Sequence, residues 1–385
     1  MLFTRLRRIT RDGYWIPEID GLRFLSISLV FLFHLFVTFC AVTSVTASHS
    51  ALFLPIRNGA RGVPVFFTIS GLVLALPFAR RYLATGQTVS LRKYYLRRLT
   101  RLEPPYILCV LGCTLLYVAY HHSFAGTLPH LAASLVYLHN IVYAAPSQVN
   151  GVLWSLEIEV QFYLIAPLLM QIYRLRSLRL RRTMLVAFTL AWLYAQPHML
   201  HTVRTQFTLL GSLPYFLVGM LAADFHIACP PRSVRVGYLW DIAGLAAIAA
   251  IFLGPYSEMQ VNALLPASAC ILCLAALRGS MLRRALSVQW VAIIGGMCYS
   301  IYLWHLILIR AIFTLTRHAI VPSLGFAGNF LLQFVVCGMP ALALCAVYFV
   351  CVERPCMDPK WPSKLMVKLG RRPAEATSLD SGGVS

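Results

Sequence analysis

The sequence predicts an all-α, polytopic membrane protein with about ten transmembrane helices and both termini in the cytoplasm. Three observations carry this. Of 385 residues, 59% are apolar and 12% charged, far from the roughly 45 to 50% and about 25% of soluble domains. The apolar residues gather into uncharged windows that approach or exceed the roughly 20 residues needed to cross a bilayer. The 33 Lys and Arg against 13 Asp and Glu, a net charge of +20, concentrate on alternate connections between those windows. In a soluble chain such a surplus would suggest a polyanion partner. Here it records membrane topology and contact with anionic lipid, and no nucleic-acid partner is expected.

The first uncharged window runs from Phe24 to Ile56 and is preceded by Arg5, Arg7, Arg8 and Arg11. It is longer than the core of a signal peptide and lacks a small-residue cleavage site after Val30, so it is expected to be a retained span. The same test along the chain places spans near 22–45, 62–79, 104–120, 152–173, 183–198, 207–224, 238–254, 261–277, 288–310 and 326–352. With the N-terminus inside, 28 basic residues fall on the cytoplasmic side, and five (Arg57, Arg61, Arg204, Arg310 and Arg317) fall outside. That asymmetry is the positive-inside pattern, and an odd number of spans would scramble it.

One stretch departs from the pattern. From Pro104 to Gly151 there is no Asp, Glu, Lys or Arg, yet the charge rule wants a single crossing. Leu131 to Ala144 is therefore expected to be a short interfacial or re-entrant piece on the outer side, covered by protein or lining a cavity. The chain divides into a basic N-terminus (1–15), a transmembrane domain (16–356) and a polar, disordered cytoplasmic tail (357–385). The 11 cysteines are scattered. Cys270 and Cys273 lie inside an apolar span with no second pair and no flanking His, which points to packed thiols rather than a metal site.

An ionisable group at bilayer depth costs about 2.5 to 3.5 kcal/mol on insertion scales, so each one is a candidate for function. In the first span, Asp20, Arg23 and His34 share one helical stripe, because eleven and fourteen residues are close to whole numbers of turns. Arg23 to His34 spans about 16 Å of helix rise, from the cytoplasmic face to mid-membrane. The plainer reading is a snorkelling arginine and a packed histidine. In the fourth span, Ser155 and Glu159 share a face while Glu157 points away. Two carboxylates near the outer mouth suit acid–base work or acceptor positioning, or merely an interfacial acidic pair in an aromatic belt that includes Trp154 and Tyr163.

Before the third span, Arg97, Arg98 and Arg101 form a basic patch with Tyr94. Such a patch grips phosphates and stacks on a purine, or attracts anionic lipid and sets topology. In the ninth span, His305 follows Tyr299 and Tyr302, either as a second catalytic or acceptor-positioning group or as a hydrogen-bonding anchor.

These residues occur in segments that resemble the integral-membrane acyltransferase family 3, which includes bacterial O-antigen, exopolysaccharide, Nod-factor and macrolide acyltransferases. The segments are Ile16 to Arg23 with His34 beyond, Gly62 to Gly71, Arg97 to Pro104, Trp154 to Tyr163, Tyr299 to His305, and Val352 to Pro355. Six in the expected order cover nearly the whole helical region. The resemblance implies an acyl-CoA donor, acetyl-CoA in the first instance, entering from the cytosol, and a hydroxyl acceptor on a carbohydrate or similar molecule. It implies a multi-pass protein of the bacterial inner (cytoplasmic) membrane.

The resemblance also makes Arg23 and His34 essential and assigns Arg97, Arg98 and Arg101 to the CoA phosphates or to activity. The sequence departs from the family at two places in the fourth span: Glu157 stands for a serine and Val160 for a glutamate, leaving Glu159 as the retained carboxylate. The SGNH esterase-like domain that follows the helices in some members is not expected here.

The working mechanism places His34 as general base on the acceptor hydroxyl, or as a transient acyl carrier. Arg23 or Asp20 fixes donor and helix geometry, and Ser70, Tyr163 and Tyr302 are candidate oxyanion donors. No metal is called for. A transporter or flippase for a lipid-linked sugar or an acyl group is the competing class, since buried charges also mark translocation paths. The absence of recognisable inverted repeats weighs against it.

Overall fold

A computed structural model describes residues 6–9, 15–43, 53–84, 88–122, 124–199, 202–229, 234–254, 258–358 and 361. The described residues form helices and no strand. Eight helices among them are long and apolar enough to cross a membrane: Pro17–Val42, Gly59–Leu83, Leu91–Tyr120, Trp154–Arg174, Leu209–Ala228, Arg235–Leu253, Cys298–Ala319 and Pro322–Cys356. Helices also occupy the two remaining predicted windows, as Leu178–Met199 and Glu258–Arg278. The chain is an all-α, multi-pass membrane protein. Arg5, Arg11 and Arg232, the side chain of Arg204, and most of the predicted disordered tail lie outside the described residues.

The elements that build the site are α1 (Pro17–Thr43), α2 (Gly62–Leu83), α3 (Leu91–His121), α4 (Phe124–Leu135), α5 (His139–Tyr143), α6 (Trp154–Leu169), α7 (Leu178–Met199) and α8 (Leu209–Ala228). They are followed by α9 (Val234–Leu253), α10 (Glu258–Arg278), α11 (Met281–Leu286), α12 (Gln289–Gly296) and α13 (Cys298–Thr316). The last long helix runs from Gly325 to Cys356 and carries two π-helical turns, Phe334–Gly338 and Phe349–Glu353. The predicted single span over 288–310 is two helices, broken at Met297. The segment before the break is held against α1, where a Cβ on Gly295 would collide with the carbonyl of Asp20.

Prolines inside membrane helices leave a carbonyl four residues back without its donor. In lipid that carbonyl must be satisfied by another group, and three of them are met by side chains from elsewhere. Pro104 frees the carbonyl of Thr100, which accepts from Trp361 Nε1 at 3.0 Å. Pro167 frees Tyr163 O, which accepts from Tyr94 Oη at 3.2 Å. Pro214 frees Leu210 O, which accepts from Trp192 Nε1 at 2.9 Å and Gln196 Nε2 at 3.2 Å. The second of these bonds ties the basic motif of α3 directly to α6.

Close packing rests on small residues, as membrane helix contacts do. A Cβ on Gly219 of α8 would strike Thr68 O and lie 2.7 Å from Leu72 N on α2. Phe216 then stacks between Phe67 and Phe162, with ring centroids 5.0 and 4.0 Å away. The apolar interior forms three clusters. One lies around α2, α6, α8 and α10, another around α1, α13 and the last helix, and a third joins α3, α13 and the segment before α6.

Between α3 and α6 the helices are short, 12 and 5 residues, against the roughly 20 needed to cross a bilayer. These are α4 and α5, and the residues after them dip into the bundle. Asn150 Nδ2 donates to Leu303 O at 2.8 Å, and Val152 O accepts from Tyr302 Oη at 2.5 Å. Helix α6 therefore starts alongside the middle of the chain's polar interior rather than at a free outer rim.

Candidate active site

A cavity opens where the three clusters meet. It is lined by Arg23, Ile27 and Val30 of α1, Phe66, Phe67 and Ser70 of α2, and Arg98, Arg101 and Leu102 of α3. Ser155, Glu159 and Tyr163 of α6 and Cys298, Tyr299 and Tyr302 of α13 also line it. Its open space, mouth included, is about 890 Å³.

One end of the cavity is cationic. Asp20, 1% exposed, accepts from Arg23 Nη1 at 2.7 Å, Arg8 Nη1 at 3.0 Å and Trp15 Nε1 at 2.9 Å. Arg101 stands close to this group, and its Nε and that of Arg8 find no hydrogen-bond partner among the described residues. Burial, with the cations of Arg101 and Arg23 adding to it, pushes the Arg8 guanidinium down to about 9. A place that crowds cations and leaves two donors idle favours an anion.

Helix α3 sorts the predicted basic triplet. Arg98 and Arg101 line the cavity, and the Arg98 guanidinium lies 5.4 Å from the ring centre of Tyr163. Arg97 sits on the exposed face, with Nε donating to Lys93 O at 2.8 Å.

Across the cavity, Glu159 Oε1 accepts from Tyr163 Oη at 2.5 Å and from Ser70 Oγ. Three residues predicted separately thus form one cluster. Ser155 lines the wall on the same face as Glu159, as the spacing requires, and it donates to Tyr302 Oη at 3.2 Å. Of the two carboxylates expected to work together, Glu159 lies on the same cavity as Arg23 and Arg101 and Glu157 does not.

Glu157 is fully buried and turned away from the cavity. Its Oε2 accepts from the backbone N–H of Asn140 at 2.9 Å, in the first turn of α5, where a carboxylate meets unpaired amides. Through this bond the residue ties α5 to α6. Trp154 packs edge-on against Phe67 and Phe207, with ring centroids at 6.4 and 5.0 Å, and is absent from the cavity wall.

His34 lies one helical turn beyond Val30, the last residue of α1 on the cavity wall, and is itself absent from that wall. Its Nδ1 is 3.0 Å from Val30 O and 3.0 Å from Nε2 of His305. Its Nε2 has no hydrogen-bond partner among the described residues. His305 is fully buried, and its Nδ1 faces Ile301 O at 2.8 Å and Tyr302 O at 2.9 Å.

Two contributors were not predicted. Arg8 joins the ion-pair group from the N-terminal segment, where its charge was read only as a topology signal. Glu353, fully buried in the second π-helical turn, accepts from Ser300 N at 3.0 Å and Ser300 Oγ at 2.5 Å. This bond fixes the start of α13 beside Tyr299. The motif from Val352 to Pro355 held the signal for Glu353. No group of three or more His, Cys, Asp or Glu placed to hold a metal is found among the described residues.

The fold and the cavity define a helical membrane protein with a cation-lined cavity and a pair of facing histidines beyond Val30. The acyltransferase family 3 model, described as an acyltransferase domain, matches residues 16–350, and the chain belongs to that family. It is 25% identical over 335 residues to an O-acetyltransferase OatA of Staphylococcus aureus (strain NCTC 8325 / PS 47), covering 79% of this chain and 52% of that one. It is 28% identical over 181 residues to a peptidoglycan O-acetyltransferase OatA of Listeria monocytogenes (serovar 1/2a), covering 44% of this chain and 26% of the relative. The chain spans about half the length of the Staphylococcus relative and less of the Listeria one. No solved structure matches.

Proposed function

We propose that the chain is a membrane O-acyltransferase that moves an acetyl group from cytosolic acetyl-CoA to a hydroxyl of a cell-surface carbohydrate. The observation that carries this reading is the alignment on α1. Arg23, Ile27 and Val30 run along one cavity wall from the arginine cluster toward His34. The roughly 16 Å rise from Arg23 to His34 suits a narrow pantetheine arm. CoA phosphates meet Arg98 and Arg101, with Arg8 and Arg23 behind them, and the thioester reaches the deep end.

In this reading Nε2 of His34 takes the proton of the acceptor hydroxyl as the oxygen attacks the thioester carbonyl. The C–S bond breaks, and the thiolate recovers the proton from His34. General-base assistance of this kind contributes about 10² to 10⁴ in rate. Glu159, held by Ser70 and Tyr163, is placed to orient the acceptor or the pantetheine amides. The names of the relatives point to peptidoglycan or another surface glycan as the acceptor class.

The test is mass spectrometry of the surface glycans of cells with and without the gene. The expected result is loss, on deletion, of a modification with the mass of one acetyl group. Unchanged acetylation together with loss of exported, unmodified glycan would point instead to a flippase.

A further inference from the structure

We propose that His305 is a positioning residue that fixes the tautomer of His34, presenting its Nε2 as the free base; this rests on the reading of His34 as that base. The argument starts from the two backbone carbonyls. A carbonyl only accepts, so Ile301 O and Tyr302 O require the proton of His305 on Nδ1. Neutral His305 then has a lone pair on Nε2, 3.0 Å from Nδ1 of His34. Val30 O, also 3.0 Å from that Nδ1, is a second group that only accepts. Both acceptors demand a proton on Nδ1 of His34, and the lone pair is left on Nε2.

The chain of donors thus runs from His34 to His305 to the first turns of α13. When Nε2 of His34 takes the acceptor proton, the imidazolium keeps its Nδ1–H on His305. Carbonyl dipoles behind His305 hold the relay in the orientation that a carboxylate provides elsewhere. His305 is fully buried, whereas His34 is only half-buried, so His305 acts through His34 and not on substrate. Phe31, whose ring centroid lies 6.2 Å from that of His305, closes the packing around the pair.

Glutamine is the diagnostic replacement. Its amide NH₂ can donate to Ile301 O and Tyr302 O while its carbonyl accepts from His34, which keeps the polarity of the relay without a titrating ring. The experiment measures acetyl transfer by purified wild type, His305→Gln, His305→Met and His34→Ala in nanodiscs, with thermal stability recorded for each. The expected result is that His305→Met lowers kcat about 10²-fold or more with KM for acetyl-CoA unchanged, and that His305→Gln recovers at least a tenth of wild-type kcat.

Two results overturn the proposal: His305→Met active at the wild-type level, or His305→Gln as inactive as His305→Met at equal stability. Full activity of His34→Ala would instead remove the general-base reading itself. A histidine nitrogen spectrum of labelled protein keeps the tautomer claim testable if His305→Met fails to fold: wild-type His34 must show the proton on Nδ1, and a proton on Nε2 contradicts it.

Discussion

Arg23 and His34 stand on one stripe of α1, and the cavity wall between them is made by Ile27 and Val30. Arg23 is bound to Asp20 at one end, and His34 to His305 at the other. The helix works as a ruler, with an ion-paired arginine at one end and the histidine pair about 16 Å along it.

The two faces of α3 predict different outcomes for neighbouring arginines. Arg101→Ala should raise KM for acetyl-CoA about tenfold or more, as loss of a charge-assisted contact of roughly 1.5 to 3 kcal/mol implies. Arg97→Ala should change KM less than threefold. Steady-state kinetics with varied acetyl-CoA distinguishes them, and equal effects would mean that the cavity is not the CoA path.

Asp20 is buried between two arginines. Asp20→Asn leaves both cations without their counter-charge, and breaking a buried pair in this way costs about 3 to 5 kcal/mol. The expected outcome is a large drop in thermal stability in detergent, measured by tryptophan fluorescence or a thermal-shift assay.

Glu157→Ala should act on stability and leave donor binding alone. It removes the acceptor for Asn140 N–H, and an unsatisfied buried donor costs about 1 to 3 kcal/mol. Limited proteolysis should show faster cleavage between residues 124 and 153, with KM for acetyl-CoA close to wild type.

Gly219→Leu tests the packing. The new side chain would have to displace the α2 backbone at Thr68 and Leu72, and overpacking costs about 1 to 3 kcal/mol or more. Size-exclusion chromatography should show aggregated protein, whereas Gly219→Ala should be milder but still destabilising.

Much of this arrangement was legible in the sequence because helical periodicity needs no tertiary information. The stripe of Asp20, Arg23 and His34 followed from the 3.6-residue repeat, and the opposed faces of Glu157 and Glu159 followed from the same rule. What periodicity leaves out is which face turns inward. Arg97 and Arg98 are adjacent, and it is the docking of α3, with Tyr94 bonded to Tyr163 O, Tyr95 to Leu164 O and Tyr299 to Leu102 O, that turns Arg98 to the cavity. The meeting of Ser70 with Glu159, 89 residues apart, depends on the close approach of α2 and α6 and on the inward dip before α6. The break at Met297 was hidden because Gly295 and Gly296 sit in an apolar window that hydropathy reads as continuous. Arg8 was hidden because a basic N-terminus has a sufficient explanation in topology.

The most direct measurement is acyl transfer from labelled acetyl-CoA by purified protein in nanodiscs, comparing wild type with His34→Ala at matched folding. Wild type should release CoA and pass the label to a soluble glycan fragment or, by hydrolysis, to free acetate, and His34→Ala should lose at least about 10² of that rate while still binding CoA. Full turnover by a folded His34→Ala variant would contradict the assignment of His34 as the base.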